Sequence, residues 1–180
     1  PLVPPDPGSG AVLYAEKCEP CHGPTGRGDG SQSANLPNPP PSIGTPELAR
    51  QSRPVDWYNV ITQGNLQKMM PGFSGSLDDR QRWDVTAYVY SLSLSVDEIE
   101  QGRAIYTEEC AACHGANGEG RGEGAPDWTQ PARLAQLSAA EMSDVILKGR
   151  GNMPAYQGKL DESQVWAAAA FIRSMTFAAP

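Results

Sequence analysis

Cys18-Glu19-Pro20-Cys21-His22 occurs a second time in the chain as Cys110-Ala111-Ala112-Cys113-His114. Two cysteines three residues apart lie on one side of a helical turn, within reach of the two vinyl groups of one haem, and the adjacent histidine can then ligate the iron. Each copy reads as a site of covalent haem c attachment, which makes two haem c groups. Other uses of these residues fit less well. Structural zinc gathers its ligands in nearby pairs, whereas these pairs stand 92 residues apart. A thioredoxin-like dithiol sits between a strand and a helix, and no alternating β-branched run precedes either motif. Disulfides between cysteines three apart would close tiny loops and staple almost nothing.

The four cysteines and both histidines of the chain all fall inside the two motifs. No second imidazole remains for a bis-histidine haem, and no thiolate is left once the thioethers form. Two methionines stand in front of prolines at matched places, Met70-Pro71 and Met153-Pro154, 48 residues beyond His22 and 39 beyond His114. A thioether is a soft ligand that needs no deprotonation, and the proline fixes the backbone that presents it. The expected axial pairs are His22 with Met70 and His114 with Met153. Met69 aligns with the polar Asn152, so Met70 is the expected ligand of the two neighbours. Met142 and Met175 fall on apolar helix faces and read as core.

The elements that position these residues repeat as well. GAVLYAEKCEPCHG from Gly10 matches GRAIYTEECAACHG from Gly102 without a gap, at an offset of 92. A first helix is expected over 11–21, then a proline-rich extended loop over 31–45 whose counterpart, 123–131, is shorter. Helices over 46–51 and 55–63 follow, the second ending at Gly64, and the second repeat has one over 141–148 ending at Gly149. By then the offset is 85. Closing helices over 78–92 and 161–175 align at an offset of 83, pairing Trp83 with Trp166 and Tyr88 with Phe171 along one apolar stripe. Ser95-Val96-Asp97-Glu98 has the form of a capping box, so the second repeat starts with almost no linker and the two halves sit close together.

With 180 residues, two halves of this kind are each small for an unaided core, and a buried haem supplies apolar mass. The organisation expected is a flexible proline-rich tether over 1–8, a first haem c domain over 9–94 and a second over 95–180. No stretch reaches the roughly 18 apolar residues of a membrane span. Haem c is attached outside the cytoplasm, so a periplasmic or otherwise extracytoplasmic location is expected, with a removed anchor or a fused domain beyond the tether. Net charge is −7, of which −5 falls after Leu94. With propionates adding negative charge, nucleic acid is a poor partner and a redox protein with a basic docking face a better one.

CxxCH behind a helix carrying Gly and Tyr, a methionine before proline, and a closing helix such as Ala87-Tyr88-Val89-Tyr90-Ser91-Leu92 or Ala170-Phe171-Ile172-Arg173-Ser174-Met175 resemble class I cytochrome c, twice over. The pair is similar to bacterial two-domain dihaem cytochromes c. The resemblance implies an all-α fold of two tandem domains, each wrapped around a haem, with N- and C-terminal helices crossing at Gly10 and Tyr14, or at Gly102 and Tyr106. It also implies a proline carbonyl on the proximal histidine Nδ1, Pro126 in the second repeat and one of Pro37, Pro39 or Pro40 in the first. Two six-coordinate His/Met irons leave no open position for a substrate. Electron transfer, free or as a haem module of a larger respiratory protein, is therefore the expected function, and catalysis is not. The alternatives are a haem-based redox or ligand sensor, or a dihaem oxidoreductase with one labile axial ligand.

Overall fold

The computed structural model describes residues 1–177 and builds them from helices, turns and isolated bridges, with no extended sheet among the described residues. The first repeat holds α1 (Pro7–Lys17), α2 (Glu19–His22), α3 (Pro46–Gln51), α4 (Pro54–Gln63) and α5 (Asp79–Ser91). The second holds α6 (Val96–Ile105), α7 (Ala111–His114), α8 (Pro131–Ala135), α9 (Ala139–Lys148) and α10 (Glu162–Ser174), with a π-helical turn over Tyr106–Cys110 between α6 and α7.

Local chemistry sets the helix starts. Asp78 with Gln81, Ser138 with Glu141 and Asp161 with Gln164 form reciprocal capping boxes at α5, α9 and α10. The first helix starts earlier than the apolar pattern implies, because Asp6 caps it through the Gly8 N–H and Pro7 occupies its first turn. Pro5 is buried and the Asp6 N–H donates to Asp84 Oδ1 at 2.7 Å, so ordered structure reaches back into the stretch expected to be tether. The box at Ser95 is only half made. Ser95 Oγ accepts from the Glu98 N–H at 3.0 Å, but the Glu98 carboxylate turns to Arg50 of the first repeat at 2.9 Å.

Each repeat is organised by one crossing, α1 on α5 and α6 on α10. The backbones meet so closely that a Cβ on Gly10 would stand 2.0 Å from the Asp84 carbonyl oxygen, and one on Gly102 only 1.9 Å from that of Ala167. Beside the glycines, Tyr14 meets Tyr88 and Tyr106 meets Phe171, with ring centroids 5.1 and 5.2 Å apart. Both tyrosine hydroxyls then donate to the first carbonyl after a CxxCH motif, Tyr14 to Gly23 at 2.7 Å and Tyr106 to Gly115 at 2.9 Å. The crossing expected from the resemblance thus also anchors the turn that carries the cysteines and histidine.

The repeats pack on each other by exchanging equivalent elements. α3 lies against α9 and α4 against α8, and the two contacts are related by swapping the halves. Tyr58 stacks on Trp83 at 4.1 Å, while Trp83 and Tyr90 both face Phe177. Arg50 lies 4.6 Å over the Trp166 ring, and Arg53 Nε donates to Glu141 Oε2 at 3.0 Å. Trp83 and Trp166 thereby serve the joint between halves. Arg173 is fully buried there, donating to the carbonyls of Leu134, at 2.6 Å, and Leu137, with its guanidinium 5.4 Å from the Tyr90 ring. Burial pulls it down to about 10.

Candidate haem sites

In the second repeat Cys110, Cys113, His114 and Met153 all line one cavity of about 1160 Å³. Ligand pockets usually occupy about 300–1,000 Å³, so this one has room for a large planar group. Its other walls include Pro126, Trp128, Met142, Ile146 and Tyr156. The π-helical turn and α7 supply the thiols and imidazole, and the loop after α9 supplies Met153, held by paired Arg150 and Met153 backbone bonds of 3.1 and 3.0 Å. Tyr156 ties this loop to the cysteine turn, its hydroxyl donating to the Glu109 carbonyl at 2.8 Å.

In the first repeat Cys18 and Met70 pack against one apolar cluster of Tyr14, Ile61, Leu77, Val85 and Val89. Met70 is held as Met153 is, through paired backbone bonds with Asn65 of 2.8 and 3.0 Å. Met69 differs. It takes the left-handed conformation at φ 58° and is 57% exposed, outside the cluster that Met70 joins. The two residues that the first repeat has in excess here fall in the turn over Leu66–Lys68. Met142 is buried in the core as expected, and it lines the second cavity too.

Electrostatics suit a neutral, soft donor set. Burial pushes His22 and His114 below the ordinary histidine range and drives the Cys18 and Cys110 thiols up to about 11. Both histidine Nδ1 atoms are buried without a partner. That is a correction to the proline carbonyl bond the resemblance implies. The structure does single out the matching prolines. A Cβ on Gly28 would stand 2.3 Å from the Pro40 oxygen and one on Gly120 2.9 Å from the Pro126 oxygen, so Pro40, not Pro37 or Pro39, is the equivalent. These carbonyls abut the glycine loops and leave the imidazoles alone. Two half-buried imidazoles of lowered basicity, each beside a pair of thiols and one of them opening on an apolar cavity, fit an iron porphyrin.

Sequence reasoning missed Trp128, Arg133 and Tyr156. Trp128 and Arg133 have no like residue in the first repeat, so the duplication could not flag them. Tyr156 aligns with Phe73 at the offset of 83, and the added hydroxyl was its only mark.

Comparison with known proteins agrees with the duplication. A family model described as cytochrome c oxidase, cbb3-type, subunit III matches residues 5–89 and again residues 97–172. The chain is 30% identical to the cbb3-type cytochrome c oxidase subunit FixP of Bradyrhizobium diazoefficiens, over 92% of this chain and 60% of that one. It is 28% identical to subunit CcoP of an Azospirillum species, over 92% and 61%. The chain thus spans about 60% of the length of the curated relatives it matches. Among solved structures, a chain of the reducing HAO-like protein complex of Kuenenia stuttgartiensis aligns over 93% of this chain and 96% of its own at 22% identity, TM-score 0.40. Cytochrome c6C of Synechococcus aligns over 42% and 94% at 25% identity, TM-score 0.35. With an all-helical tandem of cytochrome c repeats and both repeats matched, the chain belongs to the cbb3-type cytochrome c oxidase subunit III family, a family of haem proteins of electron transport.

Proposed function

We propose that the chain is the two-haem electron-transfer part of a cbb3-type oxidase subunit, extracytoplasmic, with domains over 9–94 and 95–180 that each carry one covalent haem c. The observation that carries this reading is the convergence of Cys110, Cys113, His114 and Met153 on one large cavity, with the same residue types held by the same backbone bonds in the first repeat. The group supplies a one-electron iron couple. Cys18, Cys21, Cys110 and Cys113 would tether it through thioethers. His22 and Met70 would hold the iron of one haem, and His114 and Met153 that of the other. The tyrosines at the two crossings hold the cysteine turns still, and the apolar walls exclude water, which keeps reorganisation small as charge changes.

Chain produced with haem c maturation is expected to weigh two haems more than the bare polypeptide in denaturing mass spectrometry and to keep both through acid–organic extraction. A mass with no haem, or zinc in the native sample, would end this reading.

The partner is a redox protein with a basic face, the rest of the oxidase receiving the electrons. With −5 of the net −7 after Leu94, encounter is steered by charge, and screening sets in within about 10 Å at 0.1 M salt. Stopped-flow electron-transfer rates should therefore fall as ionic strength rises. Rates that stay flat or rise would remove charge steering from the account.

A further inference from the structure

We propose that Arg53, a residue of the first repeat, belongs to the second haem site, where it neutralises the Glu141 carboxylate on the cavity wall and so helps set the potential of the group bound there; the proposal rests on the haem reading above. Glu141 lines the second cavity from the first turn of α9, ahead of Met142, Val145 and Ile146 on the same wall. Two Arg53 nitrogens hold its two oxygens, Nε donating to Oε2 at 3.0 Å and Nη2 donating to Oε1. The Ser138 N–H adds a third bond, to Oε2 at 2.8 Å. These bonds, those from Arg53 foremost, hold the Glu141 carboxyl below its ordinary range, so both partners are charged and the pair is close to neutral. Glu109 and Glu123 line the same cavity, and neither is ion-paired among the described residues. Glu141 is therefore, among the described residues, the one carboxylate of that wall whose charge is cancelled, and the cation comes from the other half.

The duplication makes this a property of one site and not of both. At the offset of 85, Arg53 matches Ser138 and Glu141 matches Asp56. Ser138 has no charge to send back across the joint, and Asp56 is exposed and in no ion pair among the described residues. Arg53 meanwhile opens α4 with its backbone, its carbonyl accepting from the Asp56 N–H at 3.0 Å, and α4 carries Trp57 and Ile61 into the apolar cluster around Cys18 and Met70. One residue thus starts a wall of the first site and braces a wall of the second. It acts there through Glu141.

An uncompensated carboxylate beside an iron favours the oxidised, more positive state, and an uncompensated cation favours the reduced one. In redox titrations of the holoprotein followed by visible absorption, Arg53→Gln should lower the midpoint potential of the second haem and Glu141→Gln should raise it. The double variant should return close to the parent value. The first haem, identified as the one that Met70→Ala perturbs, should move less in every case. Raising the ionic strength should shrink the shifts, because the two side chains are 47% and 39% exposed. Opposite signs at one haem separate charge from packing, since a loosened joint would move it the same way in both variants. Neither substitution removes a helix cap, because Arg53 caps α4 through its backbone alone and glutamine keeps the α9 capping box. Fewer than two haems per chain in the parent protein would sink the haem reading rather than this one. Shifts of the same sign, equal shifts of both haems, or no shift at the second would overturn the assignment of Arg53.

Discussion

Met70→Ala abolishes the near-red sulfur-to-iron absorption of one ferric haem, opens its reduced form to carbon monoxide and lowers its potential, while Met69→Ala changes none of these. The reason is local backbone structure. Met70 and Met153 occupy the same place in two short turns, each exchanging both main-chain bonds with the residue that opens the turn, Asn65 or Arg150. Met69 occupies the left-handed corner before it, and its side chain is mostly in water. The measurement belongs at mildly acidic pH, where amines that could replace the lost thioether as ligands are protonated. Loss of the sulfur band in Met69→Ala but not in Met70→Ala would show the register between the repeats to be wrong.

Gly102→Ala unfolds or grossly loosens the second repeat, although it adds a single methyl group. That methyl would stand 1.9 Å from the Ala167 carbonyl oxygen and 2.9 Å from Phe171 Cβ, and a backbone oxygen cannot step aside as a side chain can. The crossing of α6 and α10 must open, dragging Tyr106 off Phe171 and its hydroxyl off the Gly115 carbonyl. A cost of about 4–5 kcal/mol or more is expected, in the range reserved for gross steric or core damage. Gly75→Ala, with nothing within 4 Å, should stay within about 0.5 kcal/mol. Denaturant unfolding of the two variants makes the comparison. Similar midpoints would show the crossing to be soft.

What the sequence made legible followed from duplication. Helix starts marked by a capping box, and those of α3 and α4 marked by a proline, were placed to within a few residues, whereas α8, which Pro131 opens, lay at the end of a stretch read as loop. The matched Met-Pro pairs pointed to Met70 and Met153, which the structure holds in like turns. Features without a twin stayed hidden. Asp6 as a cap lay inside a proline-rich stretch with no apolar period, so α1 was read four residues short. Glu98 looked like the closing member of a capping box, and nothing local could show that Arg50, 48 residues upstream, takes its carboxylate. The buried Arg173 gains its role only from tertiary neighbours. Choosing Pro40 among three prolines likewise needed the position of Gly28.

The meeting of Tyr90 with Arg173 has a consequence for what each half will accept as a mate. These are the same position of the two closing helices, 83 residues apart, and they touch because the position lies close to the axis that swaps the halves. On such an axis a residue faces its own copy in any symmetric pair. Two second halves brought together this way would set one buried guanidinium against another, a like-charge contact in a site without water to screen it. Pairing an arginine with an aromatic ring replaces that repulsion by cation–π attraction. Such a contact would count against self-association of the second half, whereas the Tyr90 ring of the covalently linked first half accepts the guanidinium.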